Sequence, residues 1–313
     1  MRQYILRRVM RSLPIVVLVS ILVYGMIDML PGDPVMHMFA GQYVTAENMA
    51  LARETLGLDK PIYVRYAEWL WRVLQGDFGV SIVSKRPVAD MVLSVIPRTI
   101  ELALAATFVM ILFGIPAGII AALRKNTWID NGLMVLVSLG VAMPLFWFGL
   151  IALLIFSVQL NWFPVAASAG WRSLVLPAVV LGLQSACMVA RLTRSSMLQV
   201  LGDDYVTTAR SKGLSERRVI GVHALRNAFI PVLTLLGVQT SWMLGGAVIT
   251  ETVFARPGLG TMAVEAIRQM DFPVLQAIVL IAALTYTTVN LLVDLMNAAL
   301  DPRIAYDAKA GAA

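Results

Sequence analysis

The sequence predicts an all-α integral membrane protein with about six transmembrane helices. Of its 313 residues, 59% are hydrophobic and only 14% charged, and mean hydropathy is +0.78, whereas a soluble domain carries about 25% charged residues. Six apolar runs come close to the ~20 residues a bilayer crossing needs. The middles of those runs carry no ionisable side chain.

The first run, Ser12–Ile27, extends through Met29–Leu30 past Asp28. No A-x-A-like cleavage site follows Leu30, so it reads as a retained anchor rather than a signal peptide. The others are Leu102–Leu123, Asn131 to about Ser157, Ser173–Ala190, Asn227–Thr250 and Phe272–Val293. Asp28, Glu101, Glu251 and Asp294 fall near run ends, where water is expected to be close.

Orientation follows from Lys and Arg. With the N-terminus inside, inner segments hold Arg2, Arg7, Arg8, Arg11, Arg124, Lys125, seven basic residues of 191–226, Arg303 and Lys309. The two short outer loops hold only Arg172, Arg256 and Arg268. The outer segment Pro31–Arg98 exceeds the ~60 residues within which such counts apply. Both termini are therefore expected in the cytoplasm. The expected organisation is a cytoplasmic N-terminus and first span over 1–30 and an extracytoplasmic segment over 31–98. A core of about five spans covers 99–298, with an inner loop at 191–226 and a cytoplasmic tail at 299–313.

Within the outer segment, Thr45 can cap a helix ending at Leu56 and Gly57. Pro61 opens a second, amphipathic helix with Ile62, Tyr66, Trp69, Leu70 and Val73 on one face; Pro87 opens a third through Val88, Met91, Val92 and Val95. Small residues recur every fourth position at Gly114, Gly118, Ala122 and at Gly182, Ala186, Ala190, as close helix packing requires. Pro116, Pro144, Pro177 and Pro231 are candidates to kink or start spans.

Several function classes are excluded. The net charge of +6 is scattered between apolar runs rather than striped, so no nucleic-acid partner is expected. The single Cys187 allows no disulfide framework. With only His37 and His223 there is no H-E-x-x-H, and G-x-S-x-G is absent, so no catalytic or metal site is assigned. The lysines follow Asp, Ser, Arg, Ser and Ala, never Gly, so no Walker A loop exists. An ion-coupled secondary transporter normally needs an ionisable relay in its spans, and a membrane scaffold or sensor would bind a partner without moving substrate. Gln184, Gln239, Thr240, Ser241, Tyr286 and Asn290 are polar positions in spans. They can bond helix to helix or face a path, and no substrate-binding residue is assigned among them.

The segment Arg191–Arg226 is the informative one. Burying its seven basic residues in lipid would cost on the order of 20 kcal/mol at ~2.5–3.5 kcal/mol each, so it lies in water. Asp203 or Asp204 can cap a helix through Tyr205, Val206, Thr208 and Ala209, ended by Gly213. Ser215 can cap a second, through Val219 and Ile220 to Asn227, with Pro231 starting the next span. A short helix tied to two spans is a lever.

Asp204-Tyr205-Val206-Thr207-Thr208-Ala209-Arg210-Ser211-Lys212-Gly213-Leu214, followed by His223-Ala224-Leu225-Arg226-Asn227 and Pro231, resembles the coupling loop of binding-protein-dependent ABC importer permeases. Ala209, Gly213 and Leu225 match the family pattern. Thr207 and Thr208 replace its Glu and first Ala, His223 its Ile and Arg226 its Pro, departures typical of the dipeptide/oligopeptide branch. Leu30-Pro31-Gly32-Asp33-Pro34, Leu56-Gly57-Leu58-Asp59-Lys60-Pro61, Gly76-Asp77-Phe78-Gly79, Phe254-Ala255-Arg256-Pro257-Gly258-Leu259-Gly260 and Asp301-Pro302-Arg303 resemble that branch in order along the chain. The resemblance implies a type I importer permease fold in a bacterial inner membrane. It also implies a second homologous permease, two ATPase subunits that bind ATP and Mg, and an extracytoplasmic binding protein delivering a short peptide, glutathione or a nickel complex. Asp204, Tyr205, Thr208, Ala209, Arg210, Gly213 and Leu214 would then couple to an ATPase.

Overall fold

The computed structural model describes residues 2–29, 60–165 and 170–300, and among them the secondary structure is helical apart from one bridge, Val80 to Pro87. The expected helix over 45–56 lies outside the described residues. The N-terminal helix α1 (Arg2–Met29) carries the apolar stretch Ser12–Gly25. Beside it lies α2 (Ile62–Leu74), which begins after Pro61 as its sequence predicts. Trp69 of α2 is buried, its ring 5.3 Å from that of Tyr24, and the Tyr66 hydroxyl is 2.7 Å from Ser20 Oγ. The amphipathic helix is thus stapled to the first span by aromatic contacts.

Four further helices are long and apolar enough to cross a membrane: α3 (Val88–Leu123), α6 (Arg172–Leu201), α8 (Glu216–Val253) and α10, apolar over Phe272–Val293 and helical to Leu300. The pair α4 (Trp128–Ala142) and α5 (Leu145–Ala152, wound on as a π-helix to Gln159), bent by 106°, is together apolar enough for a fifth crossing as one broken span. With α1 this gives about six spans.

Two boundaries differ from expectation for physical reasons. The third short helix and the second span are one rod, α3, which runs through Pro97 and Pro116 for 36 residues. The third apolar run is broken, because Pro144 lacks an amide hydrogen and forces Met143 into extended backbone (φ −75°, ψ 130°). Gln184 Nε2 takes up the Met143 carbonyl at 2.9 Å. Pro177 and Pro231 likewise lie inside helices rather than at their starts.

The centre of the bundle is the α3–α6 pair. A Cβ on Gly114 would crowd the Ala186 carbonyl and Val189; one on Gly118 would overlap the Ala190 carbonyl and Thr193; one on Gly182 would overlap Ala106 and Val109. The two small-residue stripes therefore meet each other. In lipid, apolar burial does not by itself drive helices together, so such close van der Waals contact supplies the attraction. Leu102, Met110, Leu181, Val189, Val232 and Met243 fill the surrounding core.

Glu251 corrects a sequence expectation. It lies at a span end but is fully buried, because the turn after α8 folds over it. Thr99 Oγ1 donates to its carboxylate at 2.6 Å and Gly260 N at 2.7 Å, so it tethers the start of α9 (Leu259–Arg268). Nearby Arg256, also buried, reaches Glu101 at 2.6 Å.

Candidate functional site: the short helix between two spans

Between α6 and α8 lies α7 (Asp204–Ser211). Asp203 and Ser215 occupy the helix-start positions with extended backbone, though neither side chain accepts a capping hydrogen bond. Gly213 ends the turn after α7 at φ +76°, a conformation that side chains strain to adopt.

One face of α7 is buried and one is bare. Val206 and Ala209 pack with Val219 of α8 against Leu214, Val200 and Leu201, a small core that seats the short helix on both neighbouring spans. Asp204, Tyr205, Thr207, Thr208, Arg210, Ser211 and Lys212 are exposed on the other side. Among the described residues the Asp204 and Thr208 side chains make no tertiary hydrogen bond; the Thr208 hydroxyl returns to the Asp204 carbonyl at 2.9 Å.

Two side chains cross to α8. Asn227 Nδ2 donates to the Tyr205 hydroxyl at 2.8 Å, and that hydroxyl donates to the His223 carbonyl at 3.4 Å. Arg210 holds Glu216 through Nε at 2.8 Å and Nη2 at 3.4 Å. That carboxylate raises the Arg210 pKa above its ordinary value, so the guanidinium stays charged. Tyr205, Ala209, Arg210 and Leu214 thus converge on the start of α8, while Gly213 supplies the turn.

The start of α8 is not a plain α-helix. Residues Val219–Ala224 form a π-helical turn, a feature frequent at functional sites. On the other side of α7, helix α6 is itself tied to α4. Arg194 of α6 donates to Asp130 of α4 through Nε at 2.6 Å and Nη2 at 2.7 Å, and Asn126 N adds a third bond at 3.0 Å. Sequence reasoning missed this pair, since Asp130 sits at the rim of an apolar run and Arg194 among loop charges. The π-turn and the Tyr205–Asn227 link had no local signal either.

Of the polar span residues, most bond helix to helix. Ser241 Oγ donates to Asn290 at 3.1 Å, and Thr107 and Thr240 hydroxyls lie 3.5 Å apart.

Comparison with known proteins places this architecture. The family model "Binding-protein-dependent transport system inner membrane component" matches residues 114–306, and "Binding-prot-dependent transport system membrane comp, N-term" matches residues 1–103. The glutathione transport system permease protein GsiC of Escherichia coli K12 is 40% identical over 306 residues, 98% of this chain and 100% of that protein. Its counterpart in Salmonella choleraesuis is 42% identical with the same coverage. Among solved structures, an inward-facing MetNI methionine ABC transporter chain aligns with a TM-score of 0.59 at 14% identity, covering 67% of this chain and 96% of that one. A chain of an amino acid ABC transporter crystallised with histidines aligns at 0.51 and 19%, covering 66% and 93%. These likenesses carry the fold, and the sequence relatives carry the family. The chain therefore belongs to the binding-protein-dependent transport system inner membrane components, as a permease subunit of an ABC importer.

Proposed function

We propose that this permease moves short peptides of the glutathione and dipeptide class into the cytoplasm, with both of its termini on the cytoplasmic side. The observation that carries the substrate reading is the end-to-end similarity to glutathione permeases. The basic inner segments support the orientation.

In this reading α7 is the coupling helix. Its bare polar face, from Asp204 through Thr208 to Arg210, docks in a groove of an ATPase subunit, while Val206 and Ala209 hold it to the spans. A second homologous permease completes the path, two ATPases bind ATP and Mg beneath, and an extracytoplasmic binding protein delivers substrate. ATP drives the change of access by binding one conformation more tightly than the other. Motion of α7 reaches α6 through the packing of Val206 and Ala209 on Val200 and Leu201, and α8 through the π-turn.

The test is uptake of labelled glutathione and of dialanine by the reconstituted importer with its ATPases and binding protein. ATP-dependent uptake of either is expected. Uptake of neither, with a free amino acid or a nickel complex carried instead, overturns the substrate assignment.

A further inference from the structure

The seam between α8 and α10 closes at two levels and opens at a third. At the first, a Cβ on Gly237 would overlap the Val293 side chain, which lies directly on the glycine. At the second, four residues along α8, Ser241 bonds Asn290. The pairing order shows the helices to be antiparallel, so the next level holds Gly245 and Tyr286, each four residues further on and on the same helix faces. There a Cβ on Gly245 meets nothing within 4 Å, and Tyr286 is 52% exposed.

Tyr286 stands at the midpoint of Phe272–Leu300, with fourteen residues on either side. It is about 10 Å along the axis from Val293, the last residue of the apolar window, at ~1.5 Å per residue. Tyrosine in membrane proteins favours the headgroup level, where its hydroxyl is wet. The hydroxyls of Thr234, Thr252, Thr285 and Thr288 each donate to the carbonyl four residues back, which lets them face hydrocarbon. A phenol cannot do this, because its ring holds the oxygen away from its own backbone. Among the described residues no hydrogen bond to the Tyr286 hydroxyl exists. On α3, by contrast, the exposed face is Leu104, Phe108, Ile111 and Leu112, a surface suited to lipid. The open seam is a different kind of surface, with a polar point, a glycine floor and half-exposed Trp242 one turn from that glycine.

We infer that this opened seam contacts the main chain of the transported peptide, with the Tyr286 hydroxyl hydrogen-bonding a peptide carbonyl or amide. A hydroxyl both donates and accepts, so it serves any short peptide whatever its side chains. The inference rests on the peptide reading above and adds a contact residue to it.

The experiment uses the complete reconstituted importer with Cys187→Ser in this chain. Tyr286→Cys is treated with a water-soluble, membrane-impermeant thiol reagent, and Tyr286→Phe is assayed for glutathione uptake. Labelling of the introduced thiol is expected. So is a roughly three- to tenfold rise in KM for Tyr286→Phe, the loss of one neutral hydrogen bond, with stimulated ATPase rate unchanged. Labelling by lipophilic reagents alone would put the residue in lipid. A disulfide-linkable neighbour on the second permease with no aqueous labelling would put it in an interface. Either result, or an unchanged KM, overturns the inference. If the wild-type importer carries neither glutathione nor dialanine, the peptide reading fails, while aqueous labelling still judges whether the seam is a wet path.

Discussion

Arg194 grips Asp130 with two hydrogen bonds, at 2.6 and 2.7 Å, and Asp130 is only 1% exposed. The pair ties α4 to α6 next to the short helix that follows α6. Asp130→Asn preserves the shape but removes the charge and leaves a three-quarters-buried guanidinium without its counter-ion. Complete burial would cost ~3–5 kcal/mol on losing one partner; partial exposure of Arg194 lowers this to about 2 kcal/mol. Thermal unfolding of the detergent-solubilised complex should fall accordingly. By contrast Glu216→Gln, which breaks an ion pair exposed at 41% and 59%, should shift stability by less than ~1 kcal/mol.

At the opposite end, Glu251 is held by Thr99 and the Gly260 amide, and the turn above it tolerates no bulk. A Cβ on Gly258 would strike the Glu251 carboxylate, and one on Gly260 the backbone of Val248. Gly260→Ala should displace α9 from its tether and cost about 1–3 kcal/mol, the range for overpacking. Limited proteolysis of the folded complex should show a new cut near residues 255–260, and an unchanged digestion pattern would count against the tether.

The spans were legible because length and composition alone identify them, with no need of neighbours. Prolines were not. Pro144 breaks its run whereas Pro97, Pro116, Pro177 and Pro231 are absorbed within helices, and no local pattern separates the one from the others. Glu251 was read as near water because nothing local shows the turn that folds over it, and its partner Thr99 lies 152 positions away. The amphipathic face of α7 was readable from Val206 and Ala209 against Asp204, Thr208 and Arg210. The link of α7 to α8 through Tyr205 and Asn227, and the Arg194–Asp130 pair that ties α6 to α4 beside it, were not, since each pairs residues that no local pattern relates.

Gly213 has φ +76° and exposed, open surroundings. Gly213→Ala adds left-handed strain of roughly 1–2 kcal/mol and should weaken transport modestly. Gly213→Pro cannot reach that φ at all; the chain should still insert, since the spans are untouched, but ATP-dependent uptake should vanish. Uptake at the wild-type rate in membranes containing normal amounts of the Pro variant would sink the coupling role of this turn.

Tyr205 offers the sharper test of coupling, because it can be changed by one atom. Tyr205→Phe keeps the ring and removes the hydroxyl that meets Asn227 and the His223 carbonyl. The site is partly exposed, so water replaces the lost bonds and stability should drop by only about 1 kcal/mol. If the short helix pulls α8 through this link, the variant should hydrolyse ATP normally yet move less substrate per ATP, since the π-turn at 219–224 would yield without drawing Asn227 along. A structural role alone would lower both rates together with the amount of assembled complex. The ratio of glutathione imported to ATP hydrolysed, measured in proteoliposomes, separates the two, and an unaltered ratio would show that motion passes through α6 instead.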